Sequence, residues 1–296
     1  MREFAEPFRC GWRQSVQVRE LLYDGVSDFQ HVQVFDTVPF GAMLVLDDAC
    51  QTSVVDEYIY HEMLVHVPMM AHPAPKRVLI IGGGDGGALR RVLEYPVERA
   101  TMVEIDGEVV RVSRELLPSI AGEAFDHPRG ELIIGDGVKY LRETDEHFDV
   151  ILVDSTDPVG PAVDLFNAEF YRNARRTLGD SGIIVTQSGS PLVMLDELLQ
   201  ATARLREIFP IVRVYLCSIP LYPGVLWSFT AASMTRDPAK VNPAEIAARL
   251  RAHGQPTGWY TPEIHAAAFA LPHFLQTALE PGKADDLLAL SVPISG

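Results

Sequence analysis

The stretch Val78-Leu-Ile-Ile-Gly-Gly-Gly-Asp-Gly-Gly-Ala88 carries the strongest indication of the fold. Its first four residues are apolar and three of them are β-branched, which predicts a fully buried strand. Five glycines and one aspartate follow, and Ala88–Glu94 then has a helical pattern. A strand that leads through a glycine-rich turn into a helix is the first unit of a nucleotide-binding α/β domain. Glycine in that turn allows positive φ and lets a ligand approach the backbone.

The unusual residue of this turn is Asp85. A loop built to hold pyrophosphate would not carry a carboxylate, because the two negative charges repel each other. A ligand with an ammonium group would instead be held by a charge-assisted hydrogen bond. The turn therefore predicts a nucleoside ligand whose nearby end is cationic.

The residues before this stretch are predicted to form a small β-rich domain, residues 1–70. Alternating or continuous apolar patterns, separated by turn signals, predict hairpin strands. These strands are Ser15–Arg19, His31–Phe35 and Met43–Leu46. A helix is predicted over Asp56–Met70, broken by Pro68 and followed by the Pro-rich linker Ala71–Lys76.

The remaining chain, residues 71–296, alternates strands with helices, which predicts a parallel, doubly wound sheet with right-handed crossovers. The predicted strands are Val78–Ile81, Thr101–Asp106, Glu131–Gly137 with its turn, Phe148–Asp154, Gly182–Thr186, Val212–Tyr215 and Leu226–Thr230. The predicted helices are Ala88–Glu94, Gly107–Leu117, Ala168–Leu178 and Asp196–Phe209, and a helical tail follows Asp237.

Composition narrows the class of partner. The net charge of −15 disfavours nucleic acid and anionic membranes and suits a cationic ligand. No run of 18 apolar residues is present and no signal peptide is visible, so we expect neither a membrane span nor export. Cys10, Cys50 and Cys217 are far apart and outside any CxxC motif. This predicts a reducing, cytoplasmic setting without disulfides or a zinc site.

Acidic residues follow four successive strands of the predicted sheet, at the edge where such folds bind ligands. They are Asp85, Glu104, Asp106, Asp136, Asp154 and Asp157. Any one of them could be a helix cap or turn residue, but the repetition indicates a site. Glu104 lies 22 residues after Gly82, which is the spacing of an acid that binds ribose hydroxyls. Asp154 and Asp157 could bind a second ammonium group or take a proton from an amine.

Several motifs together resemble the spermidine synthases, the polyamine aminopropyltransferases, over about residues 15–280. The most specific is Asp154-Ser-Thr-Asp-Pro-Val-Gly-Pro-Ala162. The others are Gly82–Gly87, Val103–Asp106, Gly135–Gly137, Asp56–Met63 and Tyr260–His265. The resemblance implies a Rossmann-like, methyltransferase-type doubly wound α/β sheet after a small N-terminal β-rich domain. It also implies a homodimer or homotetramer.

The resemblance further implies a reaction in which decarboxylated S-adenosylmethionine gives its aminopropyl group to putrescine, forming spermidine and 5′-methylthioadenosine. Decarboxylated S-adenosylmethionine is a co-substrate, and neither a metal nor another cofactor is implied. By position, Asp154 matches the catalytic base. The implied polyamine site consists of Tyr60, His61, Asp85, Asp154, Asp157, Tyr222 and Gln51. The implied nucleoside site consists of Gln30, Gly82, Gly84, Glu104, Asp136, Gly137 and Pro161.

This sequence departs from the family pattern at four positions. Leu221 and Val225 replace a usual Thr and Gly in a segment, residues 220–227, that is expected to line the acceptor pocket; Asp48 replaces Gly, and Gly189 replaces Glu. The acceptor therefore stays open between putrescine, cadaverine, 1,3-diaminopropane and a longer polyamine. An S-adenosylmethionine-dependent methyltransferase with the same sheet and an inactive polyamine-binding protein also stay open. His61, Glu62 and His66 do not form a zinc motif, because the histidines are five residues apart rather than four.

Overall fold

The computed structural model describes residues 2–7, 12–155, 165, 167–254 and 256–280, and its strands form two sheets. The first sheet is antiparallel, with neighbouring strands in chain order. Its strands are β1 (Arg2–Pro7), β2 (Arg13–Val26), β3 (His31–Thr37), β4 (Gly41–Leu46) and β5 (Ala49–Ser53). The prediction of hairpin strands here is confirmed for β2, β3 and β4. The sequence pattern missed β1 and β5, whose short runs contain few β-branched residues.

The second sheet has seven strands in the order β11-β12-β10-β9-β6-β7-β8. Its strands are β6 (Arg77–Gly82), β7 (Arg99–Glu104), β8 (Gly130–Ile134), β9 (Phe148–Asp154), β10 (Leu178–Gln187), β11 (Ile211–Ser218) and β12 (Leu226–Ser233). Five strands are parallel, whereas β12 pairs antiparallel with both β10 and β11. The prediction of an all-parallel sheet is wrong at this edge. The connection from β11 to β12 is too short for a crossover, so the two strands form a hairpin.

The helices cover this second sheet in the manner of a doubly wound fold, and the Rossmann-like prediction is confirmed. They are α1 (Glu57–Ala71), α2 (Gly87–Leu93), α3 (Gly107–Leu116), α4 (Pro118–Ala121), α5 (Gly137–Glu143), α6 (Ala168–Thr177), α7 (Leu195–Arg206), α8 (Pro243–His253), α9 (Pro262–Ala268) and α10 (His273–Ala278). In the described ranges no helix is long and apolar enough to cross a bilayer.

Helix α1 differs from its prediction in one respect. It continues through Pro68 to Ala71 rather than breaking at the proline. Every residue from Ile59 to Met70 is buried. The helix packs against α2 and the second sheet, and this burial outweighs the hydrogen bond that Pro68 removes. The division of the chain at residue 70 stays a prediction, and α1 contacts elements on the C-terminal side of it.

Candidate active site

A cleft lies between the first sheet and the carboxyl ends of β6, β7 and β9, where doubly wound folds bind ligands. Twelve of the fourteen residues that the sequence singles out line it. They are Gln30, Gln51, Tyr60, His61, Gly82, Gly84, Asp85, Glu104, Asp136, Gly137, Asp154 and Tyr222. The other two, Asp157 and Pro161, lie outside the described residues. Residues that are distant in the chain thus meet in one place, because the strands of the second sheet that carry them end at the same edge.

The glycine-rich turn ties β6 to β9. Gly82 has φ +84°, and a Cβ added there would lie 2.1 Å from the carbonyl oxygen of Asp154. The next amide, of Gly83, donates to that same oxygen at 2.8 Å. Only glycine fits such a close approach at positive φ. The turn therefore sets the position of Asp154 relative to the loop that carries Asp85.

Asp154 lies at the end of β9 beneath the cleft, and its Oδ1 accepts a hydrogen bond of 2.7 Å from the Tyr60 hydroxyl. Burial raises the pKa of Asp154 to about 6, while the nearby charge of His61 and the hydrogen bond from Tyr60 oppose this shift. A carboxylate with a pKa close to neutrality is suited to general-base chemistry. It stays largely ionised at neutral pH and can still hold a proton transiently.

Asp85 lies at the tip of the turn and is held from two sides. Its Oδ1 accepts from the Gly87 amide at 2.8 Å and lies 3.4 Å from Nε2 of His61. Burial alone would raise the pKa of Asp85, but the charge of His61 and the hydrogen bonds from His61, the Gly87 amide and Thr52 together outweigh it, and the net shift is downward. Asp85 is therefore a carboxylate at neutral pH, as a site for an ammonium group requires.

Glu104 ends β7 and is buried. Its Oε1 accepts a hydrogen bond of 2.8 Å from the Asp106 amide. Burial raises the pKa of Glu104 to about 7, and the charges of Asp106 and Asp154 add to the shift. A Cβ at Gly84 would lie 3.1 Å from Oε2 of Glu104 and 2.7 Å from Val109. The absence of a side chain at Gly84 thus leaves the glutamate open to the cleft.

Two other acids at strand ends cap helices. Asp136 accepts from the amides of Val138 and Lys139 at the start of α5, at 2.8 and 3.1 Å. Asp106 accepts from the Glu108 amide at the start of α3 and from Nε2 of Gln30 at 2.8 Å. The capping interpretation therefore holds for both. Asp136 also lines the cleft, and Gln30 brings the first sheet to its rim.

The opposite end of the cleft is aromatic. The Tyr222 hydroxyl donates to the carbonyl oxygen of Gln51 at 2.6 Å, and its ring meets that of Tyr60 edge-on at 5.8 Å. The Gln51 side chain donates to the Ala49 carbonyl oxygen at 3.1 Å. This end joins the first sheet to the turn between β11 and β12. It is suited to the apolar body of a chain with a charged end.

The expectation that residues 220–227 line the acceptor pocket stays a prediction, and the segment reaches the cleft at one position. Of these residues only Tyr222 lines the cleft. Leu221 is buried behind it, and Val225 is 46% exposed with φ +63°. Asp48 and Gly189 also have positive φ, at 64° and 71°. Three of the four departures from the family pattern thus fall where the backbone is left-handed, not where side chains face the cleft.

Sequence reasoning missed two groups of residues. The apolar side chains of Leu44 and Leu46 on β4, and of Phe29 in the turn between β2 and β3, line the cleft. Apolar residues there carry no signal that separates core from site. Glu57 contacts His61 one helical turn away, at 2.6 Å between Oε2 and Nδ1. Its signal was available, because acid and histidine are four residues apart on one helix.

The assembled site combines carboxylates, a histidine and aromatic rings in one partly enclosed cleft. Asp85, Glu104 and Asp154 give it a negative charge that attracts a cation. Within the ranges that the structure describes, no three His, Cys, Asp or Glu side chains are grouped so as to hold a metal ion. The arrangement can bind a nucleoside along the glycine-rich turn and an amine beside Asp154.

Two family models match the chain. Residues 57–242 match the spermine/spermidine synthase domain, and residues 3–53 match the spermidine synthase tetramerisation domain. Among curated relatives, the polyamine aminopropyltransferase of Desulforudis audaxviator is 51% identical over 273 residues, which are 92% of this chain and 97% of the relative. That of Thermoanaerobacter sp. (strain X514) is 47% identical over 265 residues, 89% and 93% of the two chains.

Solved structures agree with these matches. A spermidine synthase in complex with the transition-state analogue AdoDATO superimposes with a TM-score of 0.90 at 38% identity, covering 94% of both chains. The spermidine synthase of Thermotoga maritima gives a TM-score of 0.87 at 37% identity, also over 94% of both. The chain therefore belongs to the spermine/spermidine synthase family and is a polyamine aminopropyltransferase.

Proposed function

We propose that this enzyme transfers the aminopropyl group of decarboxylated S-adenosylmethionine to putrescine, giving spermidine and 5′-methylthioadenosine. The observation that carries the proposal is the placement of two partly buried carboxylates in the cleft, Asp85 at the tip of the glycine-rich turn and Asp154 at the end of β9. One can hold the ammonium end of the donor and the other can receive a proton from the acceptor. The structural relative with a bound transition-state analogue, AdoDATO, supports the same type of donor.

The nucleoside part of the donor is proposed to lie along β6, β7 and α5. Glu104 would accept hydrogen bonds from the ribose hydroxyls, and Asp136 with Gly137 would face the adenine end. Gln30, Gly82 and Gly84 complete the wall that the structure describes. Pro161, expected from the resemblance to border the same pocket, belongs to the residues outside the described ranges.

Asp85 is proposed to select decarboxylated over ordinary S-adenosylmethionine. The ordinary donor carries a carboxylate at the end that would meet Asp85, and two carboxylates in a buried site repel each other. We expect Asp85→Asn to lose preference for the decarboxylated donor, measured as the ratio of binding constants for the two sulfonium compounds. A variant that keeps the full preference would contradict this role.

The acceptor is proposed to lie between Asp154 and the aromatic end of the cleft. Tyr60, Gln51 and Tyr222 would contact its carbon chain and far amine, together with Asp157, which lies outside the described residues. His61 would act on Asp85 from behind. The sulfonium is already an activated leaving group, so the enzyme's work is orientation and deprotonation of the amine.

In the proposed step, the acceptor nitrogen attacks the aminopropyl carbon bonded to sulfur. The C–N bond forms as the C–S bond breaks, and its electron pair goes to sulfur, which leaves as the neutral thioether of 5′-methylthioadenosine. The proton lost by the nitrogen passes to Asp154. No metal or redox cofactor is required for this substitution. The step involves no net oxidation or reduction, and the sulfonium needs no further activation as a leaving group.

Putrescine is favoured among acceptors because neither Leu221 nor Val225 is among the described residues that line the cleft, so these departures give no reason for a different acceptor. The decisive experiment is product analysis by mass spectrometry with decarboxylated S-adenosylmethionine and a panel of diamines of three to five carbons. Spermidine as the main product would support the proposal, and preferential use of another amine would move it to that acceptor. Transfer of a methyl group instead would refute it. Asp154→Asn is the matched inactive control.

The enzyme is further proposed to be a homodimer or homotetramer assembled through the first sheet. The match of residues 3–53 to a tetramerisation model supports this, as do Leu21, Leu22 and Val26, which are exposed there. Light scattering after size exclusion would give the mass, and a monomer would contradict the proposal. Cys50 and Cys217 are free and buried, which supports a cytoplasmic location.

A further inference from the structure

The contact between Glu57 and His61 lies behind the cleft and has no part in the proposed transfer step. His61 uses both ring nitrogens on carboxylates: Nδ1 lies 2.6 Å from Oε2 of Glu57, and Nε2 lies 3.4 Å from Oδ1 of Asp85. Glu57 does not line the cleft, whereas His61 and Asp85 do. The three groups form a chain that runs from the first turn of α1 to the tip of the glycine-rich turn.

We infer that Glu57 is a positioning residue for the reaction: it orients and charges His61, which in turn fixes the Asp85 carboxylate that receives the donor's ammonium group. The inference rests on the proposed function, since it assumes that Asp85 meets a cation. It assigns the specificity for a cationic donor to three residues rather than to Asp85 alone.

Packing leaves the His61 ring little freedom. Its side chain is 2% exposed, and a Cβ at Gly87 would lie 2.2 Å from its Cε1 atom. The ring therefore sits directly on the first residue of α2, whose amide also donates to Asp85. Glycine at that position lets the ring approach, and the same residue orients the carboxylate from the other side. The Gly87 amide and the His61 ring thus both fix the position of Asp85 Oδ1.

The charges around the ring favour its protonated form. Burial lowers the pKa of His61, but the carboxylates of Asp85 and Glu57 outweigh this and raise it well above the usual value. Asp154 is a third acid near the ring, and Tyr60 is neutral. The cations on the neighbouring helix α2 reach Glu57 rather than the ring: Arg90 and Arg91 each lie 3.9 Å from its Oε1.

Glu57 also adds a negative charge to the His61–Asp85 pair, and Arg90 and Arg91 offset part of it from behind. Imidazolium and the Asp85 carboxylate alone would form a neutral pair, which attracts a cation weakly. With Glu57 the chain carries one net negative charge. Without it, the ring could lose its proton, and Asp85 would lose the positive charge that lies 3.4 Å from its Oδ1. Arg91 holds Glu57 in place from behind and also bonds to Glu94 at 2.9 Å.

The test compares Glu57→Gln with Glu94→Gln, which removes another acid beside Arg91 that does not touch His61. We expect Glu57→Gln to raise the KM for the donor about tenfold at pH 8, with a smaller rise at pH 6 where the ring is still protonated. Glu94→Gln should leave the donor KM within twofold of wild type. The His61 ring, followed by NMR in the ligand-free protein, should stay protonated through pH 8 in wild type and titrate in Glu57→Gln.

A double-mutant cycle separates this role from a merely structural one. If Glu57 acts through His61, Glu57→Gln adds no further increase in donor KM to His61→Gln. Additive effects, an unchanged pH profile, or an equal effect of Glu94→Gln would overturn the inference. If Glu57→Gln does not fold, Glu57→Asp keeps the charge but draws it away from the ring and serves in its place. Absence of aminopropyl transfer in wild type would instead refute the proposed function, while the NMR titration would still test the contact.

Discussion

Removing the Tyr60 hydroxyl isolates the group that tunes the proposed base. In Tyr60→Phe, Asp154 loses the 2.7 Å hydrogen bond to its Oδ1 and stays partly buried. A hydrogen bond to a charged group is worth about 1.5–3 kcal/mol, and one pKa unit corresponds to about 1.4 kcal/mol. The bond stabilises the ionised form, so its loss raises the pKa of Asp154 further. We expect an increase of about 1–2 units above its value of about 6.

The pH dependence of kcat/KM for the acceptor, measured with saturating donor, reports this change. Activity requires the ionised base, so it rises with pH, and the midpoint of the acidic limb should move upward by about 1–2 units in Tyr60→Phe. Tyr222→Phe is the control, because that hydroxyl donates to the Gln51 carbonyl oxygen, whereas the Tyr60 hydroxyl donates to Asp154. Tyr222→Phe should weaken acceptor binding and leave the pH midpoint of the acidic limb unchanged. An unshifted limb in Tyr60→Phe, or an equal shift in the control, would refute the assignment of Asp154 as the base.

Three further substitutions test the backbone and the buried acid. Gly82→Ala places a Cβ 2.1 Å from the Asp154 carbonyl oxygen at φ +84°. We therefore expect the free energy of unfolding, measured in urea, to fall by at least about 1–2 kcal/mol, with near-complete loss of activity. A stable, active variant would contradict this prediction. Val225→Gly relieves φ +63° at an exposed β-branched residue and should add about 0.5–1 kcal/mol with unchanged kinetics, whereas lower stability would argue against strain. Glu104→Gln should stabilise the ligand-free protein by up to about 3 kcal/mol at pH 9 but not at pH 4. Burial raises the pKa of Glu104 to about 7, so the wild-type protein loses stability as pH rises through that value. Equal effects at both pH values would disprove the shift, and we expect the variant to bind methylthioadenosine more weakly.

Strands of the second sheet could be predicted wherever the local hydrophobic pattern marks them. The continuous apolar runs at Val78–Ile81 and Val150–Val153 predict buried strands, and both lie in strands of the sheet. The hairpin of β11 and β12 could not be predicted, because strand direction depends on which edge a strand joins and not on its own residues. The prediction that Pro68 breaks α1 was wrong for a related reason. The local effect of proline is to end helices, yet complete burial of α1 holds the helix together beyond Pro68.

The chemistry of the site could be predicted from the order of residues alone. Asp85 in the glycine-rich turn, together with Glu104 and Asp154 at the ends of two other strands, predicts a nucleoside and a cation, since carboxyl ends of parallel strands share one edge. The pKa values of those acids, in contrast, depend on how the chain is packed. The pKa of Asp154 depends on burial and on a tyrosine 94 positions earlier in the chain, and Asp85 depends on a histidine and, through it, on Glu57. Side-chain type is written in the sequence, but burial and charge partners exist only once distant segments have packed together.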